Sequence, residues 1–365
     1  MRSDIFSTNS TSIPARVEKR RPNIRSLFLG EIGEWVATKG FEPYRASQLA
    51  GWFYNRAVTA VDSMHNLPAE LRSELTLDFE CDAPTRLATY NSVDGTSKLL
   101  VGLRDGVAVE SVLIPRETRL ALCLSSQVGC AMGCDYCATA TLGLRRNLEP
   151  FEIVVQVLRA REVAGEQPIT NYVFMGMGEP LANYDRLVRA LGIMTARWGL
   201  GISPRRITVS TVGLLPQLER LVKEVNVNVA VSLTAATDDL RDRLMPVNLR
   251  YPLADLVQTC RRLELPQRKR ITFEYVMLDG VNDGAADAGE LIRLFQALTV
   301  KVNLIPFNAF AGTTYRCSTP ARVSAFQRRL LDAGIHTTVR SSRGQDIMAA
   351  CGQLVAERQR WPVSV

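Results

Sequence analysis

The chain has 365 residues, and its 44 Lys and Arg against 37 Asp and Glu give a net charge of +7, while 46% of its residues are apolar. This globular balance excludes wholesale disorder, and the length allows a substantial core without disulfides or structural metals. The longest apolar runs, such as residues 225–233, are strand-sized, and the polar first 26 residues lack the apolar segment of a signal peptide. We therefore expect a cytoplasmic protein with no membrane association.

The N-terminal part of the sequence predicts a basic arm followed by a small helical accessory domain. Residues 1–25 are rich in Ser, Thr, Pro and basic residues, which is typical of a flexible arm. Between residues 26 and 84 the apolar residues recur at helical spacing, interrupted by a helix stop and turn at residues 39–43. The two apolar sets are Leu27, Leu29, Ile32 and Trp35, and then Ala46, Leu49, Trp52 and Phe53.

Residues 85–115 predict a β-hairpin linker, because alternating segments at 97–103 and 107–113 flank the turn dipeptide Asp105-Gly106. Residues 116–345 then alternate β-branched runs with helical segments, which predicts parallel strands and an α/β fold of the partial (β/α)6 barrel type. Residues 346–365 form a C-terminal segment that carries Cys351. The predicted strands are 120–125, 172–175, 206–210, 226–232, 271–277, 301–306 and 335–340, and the predicted helices are 150–162, 184–198, 253–263, 286–298 and 320–333.

Four of the eight cysteines fall within fifteen residues, and three of them form a C-x3-C-x2-C triplet, Cys130, Cys134 and Cys137. Three thiolates on one loop can hold three irons of a [4Fe–4S] cube and leave the fourth iron open. One alternative is a zinc site with Cys123 as its fourth ligand, and another is a set of unrelated buried thiols. With only two histidines in the chain, imidazole-rich metal sites are nearly excluded.

Polar residues follow the other predicted strands, at the end where parallel barrels place their chemistry. We therefore expect these residues to meet the cysteine triplet at one mouth of the barrel. They are Gly178 and Glu179 after the second strand, Ser210 at the end of the third, Ser232 at the end of the fourth, Asn308 after the sixth, and Cys351 beyond the seventh.

The triplet after the first strand of a partial barrel resembles the radical S-adenosylmethionine superfamily. Further motifs resemble its RlmN/Cfr family, whose members methylate an adenine ring carbon in RNA, and the resemblance covers about residues 27–355. The motifs are Ser125-Ser-Gln-Val-Gly-Cys130, Phe174-Met-Gly-Met-Gly-Glu-Pro180, Arg206-Ile-Thr-Val-Ser-Thr211, Leu244-Met-Pro-Val-Asn248, Asn303-Leu-Ile-Pro306 and Ala350-Cys-Gly-Gln-Leu354.

This resemblance implies one [4Fe–4S] cluster per chain, ligated by the three triplet cysteines, and S-adenosylmethionine as the second cofactor. Glu179 would receive the ammonium group of that cofactor, although the same carboxylate could simply cap the following helix. The family usually has histidine after Ser-Leu, where this chain has Thr234. A backbone contact would tolerate the exchange, whereas an imidazole contact would be lost. The implied cofactor contacts are Gly178, Glu179, Ser210, Ser232, Leu233, Thr234 and Asn308.

The resemblance also implies a methyl-cysteine intermediate. An adenine ring carbon bonded to nitrogen is electron-poor, so direct displacement on the sulfonium methyl has little driving force. Cys351 would carry the methyl group and Cys123 would release the product by forming a disulfide, with two S-adenosylmethionine molecules used per turnover. Glu110 matches the position proposed as the proton acceptor. The alternatives are two free buried thiols and an exposed strand carboxylate.

The expected partners are RNA and an electron donor such as flavodoxin or ferredoxin, and the expected state is a monomer. The expected substrate is carbon 2 of an adenosine in 23S ribosomal RNA, with transfer RNA as a further substrate. Carbon 8 chemistry of the Cfr type and a non-catalytic, zinc-stabilised RNA-binding protein are the alternatives. Candidate phosphate-facing cations are Arg16, Lys19, Arg20, Arg21, Arg145, Arg146, Arg268, Lys269, Arg270, Arg340 and Arg343.

Overall fold

The computed structural model describes residues 21–58, 60–266, 269–296 and 298–356, so most of the predicted basic arm, including Arg16, Lys19 and Arg20, lies outside the described residues. None of the helices in the described ranges is long and apolar enough to cross a bilayer. The strands are β1 Thr85–Asn91, β2 Ser97–Gly102, β3 Ala108–Arg116, β4 Arg119–Cys123, β5 Gln127–Gly129, β6 Leu144–Asn147, β7 Ile169–Phe174, β8 Ile207–Thr211, β9 Asn228–Ser232, β10 Thr272–Met277, β11 Lys301–Pro306 and β12 His336–Val339.

Within the described residues, ten strands form one sheet in the order β1-β2-β3-β4-β7-β8-β9-β10-β11-β12. From β4 onward every neighbouring pair is parallel, and helices make the crossovers, so this half of the sheet is the predicted partial (β/α)6-type barrel, with β12 added at its edge. The predicted strands and helices of residues 116–345 are all present, with ends that differ by four residues or fewer. The helices are α1 Leu29–Thr38, α2 Tyr44–Ala50, α3 Ala69–Asp78, α4 Pro150–Ala164, α5 Tyr184–Thr195, α6 Leu215–Glu224, α7 Asp238–Leu244, α8 Leu253–Arg262, α9 Ala285–Leu294 and α10 Pro320–Asp332.

The predicted hairpin is present as β2 and β3, and the structure extends it on both sides. β1, which the sequence analysis did not predict, pairs with β2, while β3 pairs with β4 in antiparallel register. The turn closes with the Leu103 N–H donating to the Val107 carbonyl at 2.7 Å. The predicted domain boundary between residues 115 and 116 stays a prediction. The strands β3 and β4 near this boundary belong to one sheet.

The predicted N-terminal helices are present and pack against the barrel helices. The Phe28 and Trp198 rings meet edge to face, with centroids 6.5 Å apart, and Arg189 of α5 forms an ion pair with Glu31 of α1. Arg25 is buried beneath this contact and donates to the Val58 carbonyl at 2.7 Å. Buried apolar residues of the helical region and the barrel belong to one continuous core.

After β12 the chain turns across the barrel mouth, and this crossing positions Cys351. The Asp346 carboxylate accepts a hydrogen bond from the Ser92 hydroxyl at 2.6 Å. Beyond Cys351, the Gly352 carbonyl accepts from the Ala138 N–H at 2.7 Å, and the Leu354 carbonyl accepts from the Thr139 hydroxyl at 2.6 Å.

Candidate active site

A cavity of about 960 Å³, including its open mouth, lies at the carboxyl ends of the parallel strands. This is the end of the barrel at which the sequence analysis expected these residues to meet the cysteine triplet, and all of them line the cavity. The predicted site residues in its wall are Cys130, Cys134, Cys137, Gly178, Glu179, Ser210, Ser232, Asn308 and Cys351.

The three triplet cysteines lie on the loop between the paired strands β5 and β6. The Cys130 N–H donates to the Gly143 carbonyl at 2.9 Å, which closes the base of the loop, and the Cys137 N–H donates to the Cys134 carbonyl at 3.1 Å. Burial raises the pKa of all three thiols, to about 11 for Cys130. They are therefore protonated at neutral pH unless a metal withdraws charge from the sulfur atoms.

Glu179 both caps a helix and lines the cavity. Its Oε1 accepts from the Leu181 N–H at 2.9 Å, its Oε2 accepts from the Val212 N–H at 2.9 Å, and the residue is 3% exposed. Burial raises the pKa of this carboxyl to about 7, although the two backbone hydrogen bonds act in the opposite direction. Gly178 has a φ of +96°, and a Cβ there would lie 2.4 Å from the Cβ of Gln127, so only glycine fits beneath this carboxylate.

Glu274 is a cavity residue that the sequence analysis missed. It is 5% exposed, its Oε2 accepts a hydrogen bond from the Ser210 hydroxyl at 2.8 Å, and its Oε1 has no partner among the described residues. The sequence did contain a signal for this residue: a carboxylate between Phe273 and Tyr275 in an otherwise uncharged strand. Because alternate side chains of a strand point to opposite faces, the two buried aromatic residues face the core and Glu274 faces the other side. A buried carboxylate oxygen without a donor is a ready acceptor for a bound hydroxyl.

Cys351 lies between this cavity and a second one of about 490 Å³, and its side chain lines both. Cys123, at the end of β4, lines only the second cavity. Burial raises the pKa of Cys123 to about 12 and that of Cys351 to about 11, while the nearby Arg340 guanidinium lowers both. Asn308 lines both cavities and donates to the Cys351 carbonyl at 3.1 Å, which fixes the loop that carries this thiol.

Glu110 is not among the residues that line either cavity. It is 2% exposed on β3, and its Oε1 lies 2.9 Å from the Lys98 Nζ, which also lies 3.4 Å from the Met348 carbonyl. Val112 pairs with Cys123 across β3 and β4. Glu110 is two residues before Val112, so its side chain and that of Cys123 share one face of the sheet, ~7–8 Å apart.

The comparisons with known proteins agree on one family. The profile described as the Radical SAM superfamily matches residues 124–293, and that of the ribosomal RNA large subunit methyltransferase N-terminal domain matches residues 22–80. A dual-specificity RNA methyltransferase RlmN from Geobacter sulfurreducens is 50% identical over 91% of each chain. The enzyme of the same name from Syntrophobacter fumaroxidans is 50% identical over 92% of this chain and 98% of its own. The chain belongs to the RlmN family of radical SAM RNA methyltransferases.

The fold comparison gives the same answer. The crystal structure of a radical SAM methyltransferase from Sphaerobacter thermophilus superposes with a TM-score of 0.87, at 43% identity, over 92% of this chain and all of that chain. The partial α/β barrel predicted from the strand and helix pattern is therefore confirmed, and so is the radical SAM family that the cysteine triplet and the other motifs resemble.

Radical SAM membership implies a [4Fe–4S] cluster and S-adenosylmethionine, and the cavity residues fit both. Three thiols share one cavity wall, whereas Cys123, the candidate fourth zinc ligand, lines the other cavity. In the described ranges, no three His, Cys, Asp or Glu side chains are gathered tightly enough for a single metal ion. Cys351 also lines this cavity, but it lies on the C-terminal segment rather than on the cysteine loop. Three thiols on one loop fit a four-iron cube with one open iron better than a tetrahedral zinc.

The Ser-Leu-Thr segment, where the RlmN family usually has Ser-Leu-His, is only partly at the cavity surface. Ser232 lines the cavity, whereas Leu233 and Thr234 are fully buried behind it. Thr234 has a φ of +57°, unusual for a β-branched residue, and its hydroxyl donates to the Tyr136 hydroxyl at 3.1 Å. Threonine here therefore supports a cavity-lining aromatic residue of the cysteine loop.

Several of the candidate cations are already engaged within the chain. Arg146 forms ion pairs with Asp105 and Glu152 at 2.8 and 2.7 Å, and Lys269 donates to the Asn226 side chain at 2.7 Å. These two residues have structural roles that the charge pattern did not indicate. Arg268 lies outside the described residues, while Arg145 and Arg270 are exposed.

Proposed function

We propose that this protein methylates carbon 2 of an adenosine in 23S ribosomal RNA, and of an adenosine in transfer RNA, through a methylated cysteine. The observation that carries the proposal is the position of Cys351 between the two cavities. A methyl carrier must face the methyl donor on one side and the acceptor base on the other. The relatives' name, dual-specificity RNA methyltransferase, supports RNA as the acceptor.

On this proposal Cys130, Cys134 and Cys137 hold one [4Fe–4S] cluster per chain. When bound, the cluster would supply the electron that cleaves S-adenosylmethionine to the 5′-deoxyadenosyl radical. Glu179 receives the cofactor's ammonium group, beside Gly178, whose missing side chain leaves room for the Gln127 side chain. Further proposed cofactor contacts in the cavity wall are Ser210, Ser232, Asn308 and the Glu274 oxygen that has no partner among the described residues. Leu233 and Thr234, whose side chains are buried behind the wall, are proposed to contact the cofactor through their backbone.

Two S-adenosylmethionine molecules are used per turnover. The Cys351 thiolate first takes the methyl group of one molecule and releases S-adenosylhomocysteine. A second bound molecule would supply the radical that takes one hydrogen atom from the S-methyl group of Cys351. The S-methylene radical of Cys351 would then add to carbon 2 of the adenine, and the adduct would give up its unpaired electron to the oxidised cluster. The chain is then joined to RNA through the Cys351 sulfur.

Release of the product requires a base and a second sulfur. Glu110 is the proposed acceptor of the ring proton, and its ion pair with Lys98 would hold the carboxylate on the face of the sheet that carries Cys123. The Cys123 thiolate attacks the Cys351 sulfur and forms a disulfide, while the carbon–sulfur bond breaks and leaves its electron pair on the methylene carbon. That carbon takes up a proton and becomes the methyl group of the product. External reductant then restores both thiols. We propose flavodoxin or ferredoxin as electron donor and a monomer in the cytoplasm as the working state.

The test is methylation by the anaerobically reconstituted protein of a 23S ribosomal RNA transcript and of a transfer RNA transcript, followed by nucleoside mass spectrometry. 2-Methyladenosine in both RNAs is the expected result. 8-Methyladenosine would instead establish the carbon 8 reaction. Protein that binds stoichiometric zinc and methylates neither RNA would overturn the proposal in favour of a non-catalytic RNA-binding protein.

A further inference from the structure

Three arginines converge on the second cavity, where no carboxylate among the described residues lines the wall. Arg116 comes from the end of β3, and Arg340 and Arg343 come from the segment after β12. Two hydroxyls, of Ser341 and Ser342, lie between the arginines in the sequence and line the same cavity. Glu274, whose charge helps raise the pKa of Arg340, lines only the first cavity. Positive charge and hydroxyl donors in the wall of the second cavity form a site for an anion with several oxygen atoms.

The electrostatics indicate mutual repulsion of positive charges at this wall. The pKa of Arg116 is lowered, first by burial and then by the charges of Arg340 and Arg343. The Asp94 carboxylate, which lies close to this segment, is already occupied, because its oxygens accept the backbone N–H groups of Thr96 and Gly344 at 2.9 and 2.8 Å. Within the described part of the chain, Arg343 donates to the Asp94 backbone carbonyl, at 3.3 Å, and forms no ion pair, so its charge stays available for a ligand.

The position of the arginines relative to Cys351 indicates which kind of anion would bind. The cofactor contacts lie in the first cavity, on the other side of Cys351, so the arginines face the side from which the acceptor base must arrive. An adenosine that reaches a buried thiol has to leave its stack, and its backbone must be held while the base is extended. A phosphodiester offers oxygen atoms that two or three guanidinium groups can bind together.

We propose that Arg116, Arg340 and Arg343 form a phosphodiester subsite that binds the RNA backbone beside the target adenosine and holds the extended base against Cys351. This inference rests on the proposed function, because it takes RNA as the substrate. It adds a place and a set of residues for the backbone of the reacting nucleotide.

The three arginines differ in their burial and in their distance from the thiols. Arg340 is half-buried, with an Nη1 that lies 3.2 Å from the Met175 sulfur, and its charge acts on both thiols. Arg116 and Arg343 are exposed at the rim. Substitutions at the rim therefore test anion binding with little disturbance of the thiols or of the core.

The experiment compares the Arg116→Gln and Arg343→Gln double variant with a control double variant, Arg261→Gln and Arg328→Gln. The control arginines are exposed on α8 and α10, and both pairs remove two positive charges. The affinity for an RNA hairpin that contains the substrate adenosine is measured by fluorescence anisotropy at several KCl concentrations. A third protein, with lysine at positions 116 and 343, keeps the charge.

We expect the rim variant to lower the slope of log K against log salt by about 1 to 2, as for the loss of one or two phosphate contacts. The lysine protein should recover most of that slope, and the control should match the wild type. A rim variant that binds RNA with the wild-type slope and affinity would overturn the subsite. Loss of methylated Cys351 in the rim variant would also overturn it, because the arginines would then act on the thiol. If the wild type itself leaves RNA unmethylated, the proposed function fails, whatever the salt slopes show.

Discussion

The Ser210 hydroxyl donates a hydrogen bond to the Glu274 carboxylate at 2.8 Å, at the point where β8 and β10 reach the first cavity. This bond satisfies one carboxylate oxygen, while the second has no partner in the described part of the chain. An unsatisfied buried carboxylate oxygen is costly to the folded protein. Its presence beside the proposed cofactor contacts suggests a ligand hydroxyl as the missing donor, and the ribose of S-adenosylmethionine offers two.

Replacing Glu274 by Gln should weaken S-adenosylmethionine binding about tenfold. The amide oxygen of glutamine is a weaker acceptor than a carboxylate, and the amide N–H group would face the hydroxyl that should donate to this position. Equilibrium dialysis with the anaerobically reconstituted protein measures the effect. The control is Ser210→Ala, which leaves the carboxylate charge in place and should cost less. Equal affinity of wild type and Glu274→Gln would remove Glu274 from the cofactor site.

The cysteine triplet predicts a cluster content that can be counted. Reconstituted wild-type protein should contain about four irons per chain, and Cys134→Ala should lose the cluster because only two thiolates remain on the loop. Iron and sulfide analysis with the visible absorption spectrum measures both. Cys260→Ala, a buried thiol on α8, is the control. A full cluster in the Cys134 variant would remove this residue from the ligand set, and zinc in place of iron would favour the alternative metal.

Glu179→Gln should reduce cofactor affinity by about 1.5–3 kcal/mol, the range for a hydrogen bond to a charged group, and leave the iron content unchanged. Isothermal titration of the reconstituted variant measures the affinity. The variant also disturbs the acceptor of the Val212 N–H, so its melting temperature must be recorded beside the affinity. Unchanged affinity in a folded variant would leave Glu179 as a helix cap only.

Much of the barrel could be predicted because its sequence signals are local. Strand β11 was predicted with its observed bounds, and helix α10 within one residue, since an apolar β-branched run and a 3.6-residue period each indicate one element. Strand β1 was missed because it is exposed or half-buried along its length and so lacks a buried apolar face. Its pairing with β2 depends on tertiary context.

The sequence motifs predicted part of the candidate site, but the residues that other strands bring into contact with those motifs could not be predicted. The Gly-Met-Gly-Glu run indicated Glu179, whereas Glu274 lies in no motif and gains its position only when β8 and β10 bring it to Ser210. Arg116 was missed for the same reason, because more than 200 residues separate it from the arginines that it meets. Arg146 illustrates the reverse case, since this arginine of a basic pair near the cysteine loop forms ion pairs with Asp105 and Glu152.

Asp94→Asn should destabilise the attachment of the Cys351 segment at neutral pH. Burial alone would raise the pKa of Asp94, but hydrogen bonds to Thr96 and Gly344 outweigh it and lower the pKa to about 2. A carboxylate with a lowered pKa stabilises the fold above its unfolded value, near 4, and loses that contribution as the pH falls toward 2. The variant should therefore be less stable by about 1–2 kcal/mol at pH 7, and the difference should shrink at about pH 3. Urea unfolding of the reduced apoprotein checks this, with Glu166→Gln, an exposed carboxylate, as the charge-matched control.

The two cysteines at the second cavity should fail at different steps when each is replaced by Ala. Cys351→Ala should stop the reaction at the first transfer, because no thiolate remains to accept the methyl group. Peptide mapping of the wild type should find the S-methyl group on Cys351 and on no other cysteine. Cys123→Ala should still accept the methyl group and add it to RNA, since Cys351 and the cofactor cavity are intact. Without the second sulfur, the carbon–sulfur bond to RNA cannot be broken by disulfide formation.

The purified Cys123→Ala protein should consequently carry RNA that survives denaturant and is released as a Cys351-linked nucleoside after nuclease and protease digestion. The control is Cys260→Ala, which removes a buried thiol on α8 and should behave as wild type. A Glu110→Gln protein adds a further comparison. If Glu110 accepts the ring proton, this variant should trap RNA as well, because the proton must leave before Cys123 can release the product. Covalent RNA in the Cys123 variant alone would assign proton removal to another group. Absence of covalent RNA from both, with Cys351 methylated in each, would contradict a thioether to RNA and leave Cys123 as a buried strand residue.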